Sequence, residues 1–161
     1  MRILFFILLI LLSLDSISQN DSVSHRHSGV VQLGGQTMFS LHYEYSIIAK
    51  KHILVNTNIG FGLNENADDK DPNDRPIYGL HTGMIFLAGA ERFYLEMGIN
   101  PTTYFYKKTT FVNLNSWIGI RLLPKTMEGV FMSLGYTPRL FTSYTGRFSP
   151  YGIGIKCGIT F

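Results

Sequence analysis

Length, composition and charge already narrow the class of protein. The chain has 161 residues, a formal net charge of +3 and 16% charged residues, against 45% hydrophobic and 14% aromatic residues. An average soluble domain carries about 25% charged residues. One cysteine in the whole chain excludes a disulfide scaffold and a Cys-rich metal cluster, and the apolar content is too high for a disordered chain. A single compact domain is expected, and so small a positive charge predicts neither a nucleic acid nor a polybasic membrane patch.

The first segment, residues 1–18, is predicted to be a cleaved signal peptide. Arg2 precedes an apolar run from Ile3 to Leu12, and a small-x-small site follows at Ser16-Ile17-Ser18. The run is about half of the ~20 residues that a membrane-spanning helix needs, which favours secretion over a retained N-terminal anchor. The chain has no cysteine near this site, which argues against a lipid-modified N-terminus.

After this segment, apolar residues recur at every second position, as they do in half-buried strands. This alternation predicts a flexible arm at residues 19–29 and then eight strands within residues 30–161. The strands are expected at about Val30–Gly34, Met38–Ile48, Ile53–Leu63, Tyr78–Phe86, Phe93–Asn100, Val112–Leu122, Val130–Thr137 and Tyr151–Phe161.

The connections between these strands alternate in length. Short turns are predicted at 49–52, 88–92 and 123–129, and longer loops at 64–76, 101–111 and 138–150. Short turns at one end and long loops at the other are typical of an up-and-down barrel whose ends face different compartments. Eight strands return both termini to the short-turn end. The predicted fold is therefore all-β, an eight-stranded antiparallel up-and-down transmembrane β-barrel.

A soluble secreted barrel such as a lipocalin would alternate in the same way, so the composition of the polar face has to separate the two classes. Ten glycines share that face: Gly60, Gly62, Gly79, Gly83, Gly98, Gly119, Gly135, Gly152, Gly154 and Gly158. Glycine within a strand marks a place where another group approaches the backbone closely. Such close packing is expected in the lumen of an eight-stranded barrel, which is just wide enough for its own side chains. The apolar face is nearly free of charge, as a lipid-facing surface must be. The membrane barrel is the favoured interpretation.

The C-terminus resembles a known assembly signal. Its alternating residues resemble the signal by which outer-membrane barrels are recognised: Tyr151, Ile153, Ile155, Ile159 and Phe161. Tyr43-Glu44, "RFYLEMGIN" (92–100), "WIGIRLLPKTMEGVFMSLGYTPRLF" (117–141) and "FSPYGIGIKCGITF" (148–161) are similar to a family of small uncharacterised outer-membrane β-barrel proteins of the Bacteroidetes, from Val30 to Phe161. The resemblance implies a barrel in the bacterial outer membrane and carries over no functional residue. Tyr45, where family members often carry a basic residue, and the lipid-facing Cys157 depart from the family pattern.

Four charged side chains are predicted to project into the lumen near the short-turn end: Glu44, Glu96, Arg121 and Lys156. Glu96 and Arg121 lie on adjacent strands at similar depth, within reach of an ion pair. The four residues would form either a gate for small solutes or a network that neutralises buried charge. We favour the second interpretation, because an unpaired charge in a narrow lumen is costly.

Two histidines, His42 and His81, also have the inward phase, whereas His25, His27 and His52 are expected outside the barrel wall. A metal site needs two or three converging ligands whose orientation is fixed by hydrogen bonds from neighbouring groups. Because the histidine spacing offers no such set, no metal and no cofactor are predicted.

Other motifs favour no enzymatic or ion-binding function. The loop at 64–76 contains Asp69-x-Asp71-x-Asn73, which lacks the glycine and the closing glutamate of a calcium loop, so a solvated loop is expected. Outer-membrane barrels include a palmitoyl transferase and a lipid A deacylase, and such chemistry needs a nucleophile and a base at the rim. Ser143 and Ser149 lie in the predicted loop at 138–150, and neither this loop nor the one at 101–111 contains a histidine.

The remaining aromatic and sulfur side chains receive structural roles. The outward tyrosines are expected to form an interfacial girdle, Cys157 is expected to act as a small apolar side chain, and Trp117 is predicted to fill the lumen. The sequence thus predicts a structural or adhesive barrel of the bacterial outer membrane. Its expected partners are membrane lipid, lipopolysaccharide and the barrel-assembly machinery. A lipid-modifying enzyme, a conduit for an apolar ligand and a secreted carrier remain as alternatives.

Overall fold

A computed structural model of the chain describes residues 26–50, 52–64, 77–106, 109–125, 128–143 and 152–161. The strands in these ranges are β1 (His27–Gly34), β2 (Phe39–Lys50), β3 (Ile53–Asn64), β4 (Ile77–Ala90), β5 (Phe93–Tyr106), β6 (Thr109–Leu122), β7 (Gly129–Tyr136), β8 (Arg139–Thr142) and β9 (Ile153–Thr160). They pair in the order β5-β4-β3-β2-β1-β9-β7-β6-β8, and β5 also pairs with β6, which closes the sheet. Since β7 and β8 follow one another and both pair with β6, they are two segments of one barrel strand. The predicted eight-stranded antiparallel barrel is confirmed.

The polarity of the barrel is inverted relative to a water-soluble domain. Among the described residues, 22 polar or charged residues are buried, against 11 hydrophobic ones. On β2, for example, Glu44 is buried while its neighbours Tyr43 and Tyr45 are not. Large apolar side chains such as Ile99 and Leu134 are more than half exposed on the outer face. The two faces predicted from the alternation therefore point as expected, with the glycine-rich polar face inward.

The barrel begins earlier than the sequence predicted. β1 starts at His27 rather than at Val30, so residues 27–29 belong to the barrel and not to the predicted arm. The His27 amide donates a hydrogen bond to the Phe161 carbonyl at 3.1 Å, and the Phe161 amide donates to the His27 carbonyl at 2.9 Å. This pairing with the C-terminal residue extends the strand. The predicted signal peptide lies outside the described residues.

The predicted loop at 101–111 is wrong, because β5 continues to Tyr106 and β6 begins at Thr109. Pro101 suggested a loop because proline in a strand is confined to edges, first positions and irregularities. Here it lies at such an irregularity. β4 and β5 pair at His81↔Thr102 and at Met84↔Ile99, but not at the two positions between them. The missing amide of Pro101 therefore leaves the pairing with β6 intact.

The predicted loop at 138–150 also contains a strand, β8, which continues the line of β7 beyond a break at Thr137 and Pro138. The Ser116 amide donates to the Pro138 carbonyl at 2.9 Å and so spans the break. A register shift on β6 follows between Leu114 and Asn115. The end opposite the termini therefore has fewer long loops than predicted. The described residues contain no helix that is long and apolar enough to cross a membrane.

Candidate functional site in the barrel lumen

The lumen charge network consists of Glu44 on β2, Glu96 on β5, Arg121 on β6 and Lys156 on β9, and all four side chains are buried. Arg121 lies between the two carboxylates. Its Nη1 and Nη2 donate to the two oxygens of Glu44 at 2.7 and 3.0 Å. Its Nη2 and Nε donate to the two oxygens of Glu96 at 2.7 and 3.1 Å. The structure thus brings the four predicted charges to one place on four different strands.

Lys156 completes the network and balances its charge. The Lys156 Nζ atom lies 2.8 Å from Glu96 Oε1, and the hydroxyl of Ser133 donates to Glu96 Oε2. With two carboxylates, one guanidinium and one ammonium, the formal charge of the network is zero. Planar double hydrogen bonds between arginine and carboxylates fix geometry strongly, so this network holds four strands in register across the lumen.

A second layer of polar side chains supports Glu44. Asn56 on β3 donates from Nδ2 to Glu44 Oε2 at 3.2 Å, and the Ser46 hydroxyl donates to Asn56 Oδ1 at 2.9 Å. A buried carboxylate is tolerated only when its remaining oxygen lone pairs are also satisfied. Asn56 supplies one such hydrogen bond to Glu44 from β3, and Ser46 holds the Asn56 amide in place.

Two aromatic rings pack against the cations. The guanidinium carbon of Arg121 lies 4.4 Å from the centroid of Phe131, and Lys156 Nζ lies 4.0 Å from the centroid of Trp117. Both distances suit cation–π attraction, which is stronger away from water. The predicted inward position of Trp117 is confirmed, since the side chain is 1% exposed. The contact of the buried Phe131 with Arg121 does not follow from the alternation, because alternation predicts the face on which a residue lies and not its partner.

The two lumen histidines form a separate pair. The rings of His42 and His81 lie 5.2 Å apart. Both are hydrogen-bonded to hydroxyl groups: His42 Nε2 lies 2.7 Å from Ser40 Oγ, and His81 Nδ1 lies 2.9 Å from Thr102 Oγ1. The structure therefore places both histidines in the lumen, as predicted, with hydroxyl partners rather than carboxylate partners.

Further polar residues fill the lumen toward the end opposite the termini. Asn58 Nδ2 donates to Asn100 Oδ1 at 3.2 Å, and Asn115 Nδ2 lies 3.4 Å from Thr102 Oγ1. The Tyr104 hydroxyl donates to the Gln36 carbonyl at 2.6 Å. Sequence reasoning did not include this layer among the candidate sites. The signal was the recurrence of asparagine at inward positions of β3, β5 and β6.

The other predicted sites are divided between described and undescribed residues. Ile153, Ile155, Ile159 and Phe161 of the predicted assembly signal lie on the outer face, as does Cys157. Tyr151, Ser149 and residues 65–76 of the predicted aspartate loop lie outside the described residues. Ser143, which is described, is exposed. Within the described part of the chain, no three His, Cys, Asp or Glu side chains come together as metal ligands would.

Comparisons with known proteins show a similarity among solved structures only. No family model and no curated protein matches the chain. Among solved structures, the N-terminal β-barrel domain of OprF from Pseudomonas aeruginosa is similar over 85% of this chain and 96% of that chain, with a TM-score of 0.48 and 11% identity.

Proposed function

We propose that the chain is an integral β-barrel of the bacterial outer membrane, of structural or surface-interaction type, with a lumen closed by the charge network and with its long loops outside the cell. The observation that carries this proposal is the inverted polarity of the barrel. The outward positions of β4 to β7 include no Asp, Glu, Lys or Arg, and a charge on a lipid-facing position near the midplane costs about 2–4 kcal/mol.

The dimensions of the strands support a membrane location. β2 to β6 contain 12 to 14 residues each, and a tilted strand needs about 9–11 residues to cross the hydrocarbon core. The predicted signal peptide and the resemblance of the alternating apolar residues of β9 to an assembly signal support a location in the outer membrane. In this proposal the C-terminal strand is recognised by the barrel-assembly machinery, and lipid and lipopolysaccharide surround the finished barrel.

The packing of the lumen supports a closed barrel rather than a channel. An eight-stranded barrel has an interior just wide enough for its own side chains. Here the charge network, Trp117 and Phe131 occupy that interior. An enzymatic role is not part of the proposal: the two lumen histidines are buried and hydrogen-bonded to Ser40 and Thr102, whereas Ser143 is exposed.

Cell fractionation tests the membrane placement. The full chain, expressed in a Gram-negative host, is expected in outer membranes after carbonate washing and in solution only with detergent. An epitope inserted after Asp71, in the 65–76 connection, should bind antibody on intact cells. A matched epitope between Glu91 and Arg92, at the short-turn end, should bind only after permeabilisation. Recovery as a water-soluble secreted protein would overturn the proposal.

Planar-bilayer recording tests the closed lumen. The purified barrel is expected to give no steady ion conductance at neutral pH, since the charge network and the aromatic rings fill its cross-section. A stable open conductance from the unmodified chain would show instead that the lumen is a pore.

A further inference from the structure

An apolar groove with a volume of about 890 Å³ lies on the outer face of the barrel, across β3 to β6 and beside β8. Three short outward side chains line it on neighbouring strands, Thr82 on β4, Pro101 on β5 and Ser116 on β6. Elsewhere, the outward positions of these strands are mostly occupied by long apolar side chains. The row of short side chains therefore explains the depression.

The groove coincides with the irregular part of the wall. The pairing of β4 with β5 is interrupted between His81↔Thr102 and Met84↔Ile99. Thr82 lies opposite Pro101 in this interruption. Gly83 and Gly98 also line the groove, and they do so with backbone atoms, because both occupy lumen-facing positions of their strands. The depression is thus built into the backbone and does not depend on the rotamer of one side chain.

We infer that this groove binds one acyl chain of a membrane lipid. The inference rests on the proposed function, since it requires the outer face to lie in hydrocarbon. The lining contains no charged side chain. One of its two hydroxyls, that of Ser116, is directed to the Pro138 carbonyl at 3.5 Å. Nothing in the lining would compensate the desolvation of a charged or strongly polar ligand. A hydrocarbon chain has no polar group to desolvate and so incurs no such cost.

The size of the groove fits a chain-like occupant. Its volume lies within the range of about 300–1,000 Å³ that is usual for small-molecule sites. From β3 to β8 it crosses four strand spacings, about 19 Å at ~4.8 Å each. One leaflet of the hydrocarbon core is about 15 Å thick, half of ~30 Å. Barrel strands tilt by about 35–45°, so a line across them descends through the leaflet instead of lying flat in it.

The groove is too small to be a protein interface by itself. Fourteen residues line it, whereas a stable interface takes about 20–30 residues from each partner. Met84 and Met97 lie along the groove, and methionine adapts its unbranched side chain to irregular apolar shapes. A narrow and flexible occupant, such as an acyl chain, suits this lining better than a second barrel wall.

Photo-crosslinking tests the site. The full chain is reconstituted in phosphatidylethanolamine–phosphatidylglycerol vesicles that contain a small share of phospholipid with a diazirine in mid-acyl chain, and adducts are mapped by mass spectrometry. Adduct yield on β4–β6 peptides is expected to exceed that on β1, β2 and β9 peptides several-fold. The substitutions Thr82→Leu and Ser116→Leu fill the groove and should remove that excess. The matched control Thr103→Leu lies at the next outward position of β5, outside the groove, and should leave it unchanged.

The possible results separate the groove from the membrane placement. Equal adduct yields on the peptides of all strands, unchanged by the substitutions that fill the groove, would overturn the acyl-chain site. This result would still agree with a barrel in lipid. No adduct on any strand, together with release of the protein from vesicles by carbonate, would overturn the proposed function as well. Faster migration of unboiled samples on gels establishes that each variant is folded, and Thr82→Leu alone is expected to remove part of the excess.

Discussion

Glycines on the lumen face make room for the two aromatic rings that contact the cations. A Cβ atom at Gly135 would lie 2.6 Å from the ring of Trp117, and one at Gly158 would lie 2.4 Å from Cζ of Phe131. Both distances are far inside van der Waals contact. Gly135 and Gly158, two members of the glycine stripe, are therefore required by the packing of the two rings that contact the cations.

Gly158→Ala is expected to destabilise the folded barrel by about 1–3 kcal/mol, the usual cost of overpacking. The added methyl group meets Phe131 and also lies 2.8 Å from the backbone carbonyl of Gly29, so it forces the ring away from Arg121. Gly29→Ala is the matched control, because a Cβ atom there has no neighbour within 4 Å. Thermal unfolding in detergent, followed by the gel shift between folded and unfolded protein, measures the difference. Equal melting temperatures for the two variants would contradict this packing role.

Glu96→Leu is expected to lower stability by about 3–5 kcal/mol, the range observed when one partner of a buried ion pair is removed. Glu96 accepts hydrogen bonds from Arg121, Lys156 and Ser133, and its loss leaves two cations against one carboxylate. Binding through the surface loops should be unaffected. The same unfolding measurement tests this, with Glu96→Gln, which keeps the shape and some hydrogen bonds, expected to be milder.

The double variant Glu96→Leu with Lys156→Met provides the stricter test of charge balance. It leaves Arg121 paired with Glu44 at 2.7 Å and restores a net charge of zero in the lumen. Residues in one network couple strongly in such cycles, so the double variant should be more stable than Glu96→Leu alone. A double variant whose losses simply add would show that charge imbalance is not the cause.

Among the strands, the sequence predicted faces well and ends poorly. The alternation of apolar and polar residues is long and regular over β2, β3 and β9. The inward positions of Glu44 and Lys156 therefore followed from this alternation alone. Strand ends depend on partners that are distant in the chain. β1 extends to His27 because Phe161 pairs with it, and β5 continues past Pro101 because β6 offers a partner at every position to Tyr106↔Thr109.

The contacts of the candidate site were predictable only in part, for the same reason. Glu96 and Arg121 lie on adjacent strands, so their proximity could be inferred from the order of hairpins. Glu44 reaches Arg121 from across the lumen, and this contact depends on the closure of the barrel and on how it staggers the strands. The alternation of residues along a strand carries no information about the closure of the barrel or the stagger of its strands.

Amide hydrogen exchange tests the corrected strands. The amides of Thr103 and Phe105 on β5, and of Val112 on β6, should be protected in the folded barrel, because they lie in the extended β5–β6 hairpin. Under the earlier expectation of a loop at 101–111 they would exchange rapidly. The Leu95 amide in the middle of β5 serves as the protected reference, and exchange at Thr103 many orders of magnitude faster than at Leu95 would contradict the hairpin.

For the molecule as a whole, the solvent on each side of the sheet decides what the barrel is. A secreted carrier would place its apolar side chains around a central cavity and its polar ones in water. Here the buried side holds balanced ion pairs, asparagines and histidines, and the exposed side holds Ile, Leu, Met and Phe. Such a surface favours the proposed hydrocarbon surroundings, since exposed apolar patches this extensive lead to association in water.

Arginine scanning along β7 distinguishes hydrocarbon from water on the outer face. Leu134 lies midway along its barrel strand, opposite Ile120 and Ile155, and is 58% exposed. Val130 is 63% exposed at the short-turn end of the same strand. In a bilayer, Leu134→Arg should cost about 2–4 kcal/mol and Val130→Arg about 0–1 kcal/mol, because the penalty depends on depth. Reversible unfolding from lipid vesicles in denaturant measures both. In water the two substitutions would be equally harmless and would raise solubility, so an equal and negligible effect on stability would contradict the membrane barrel.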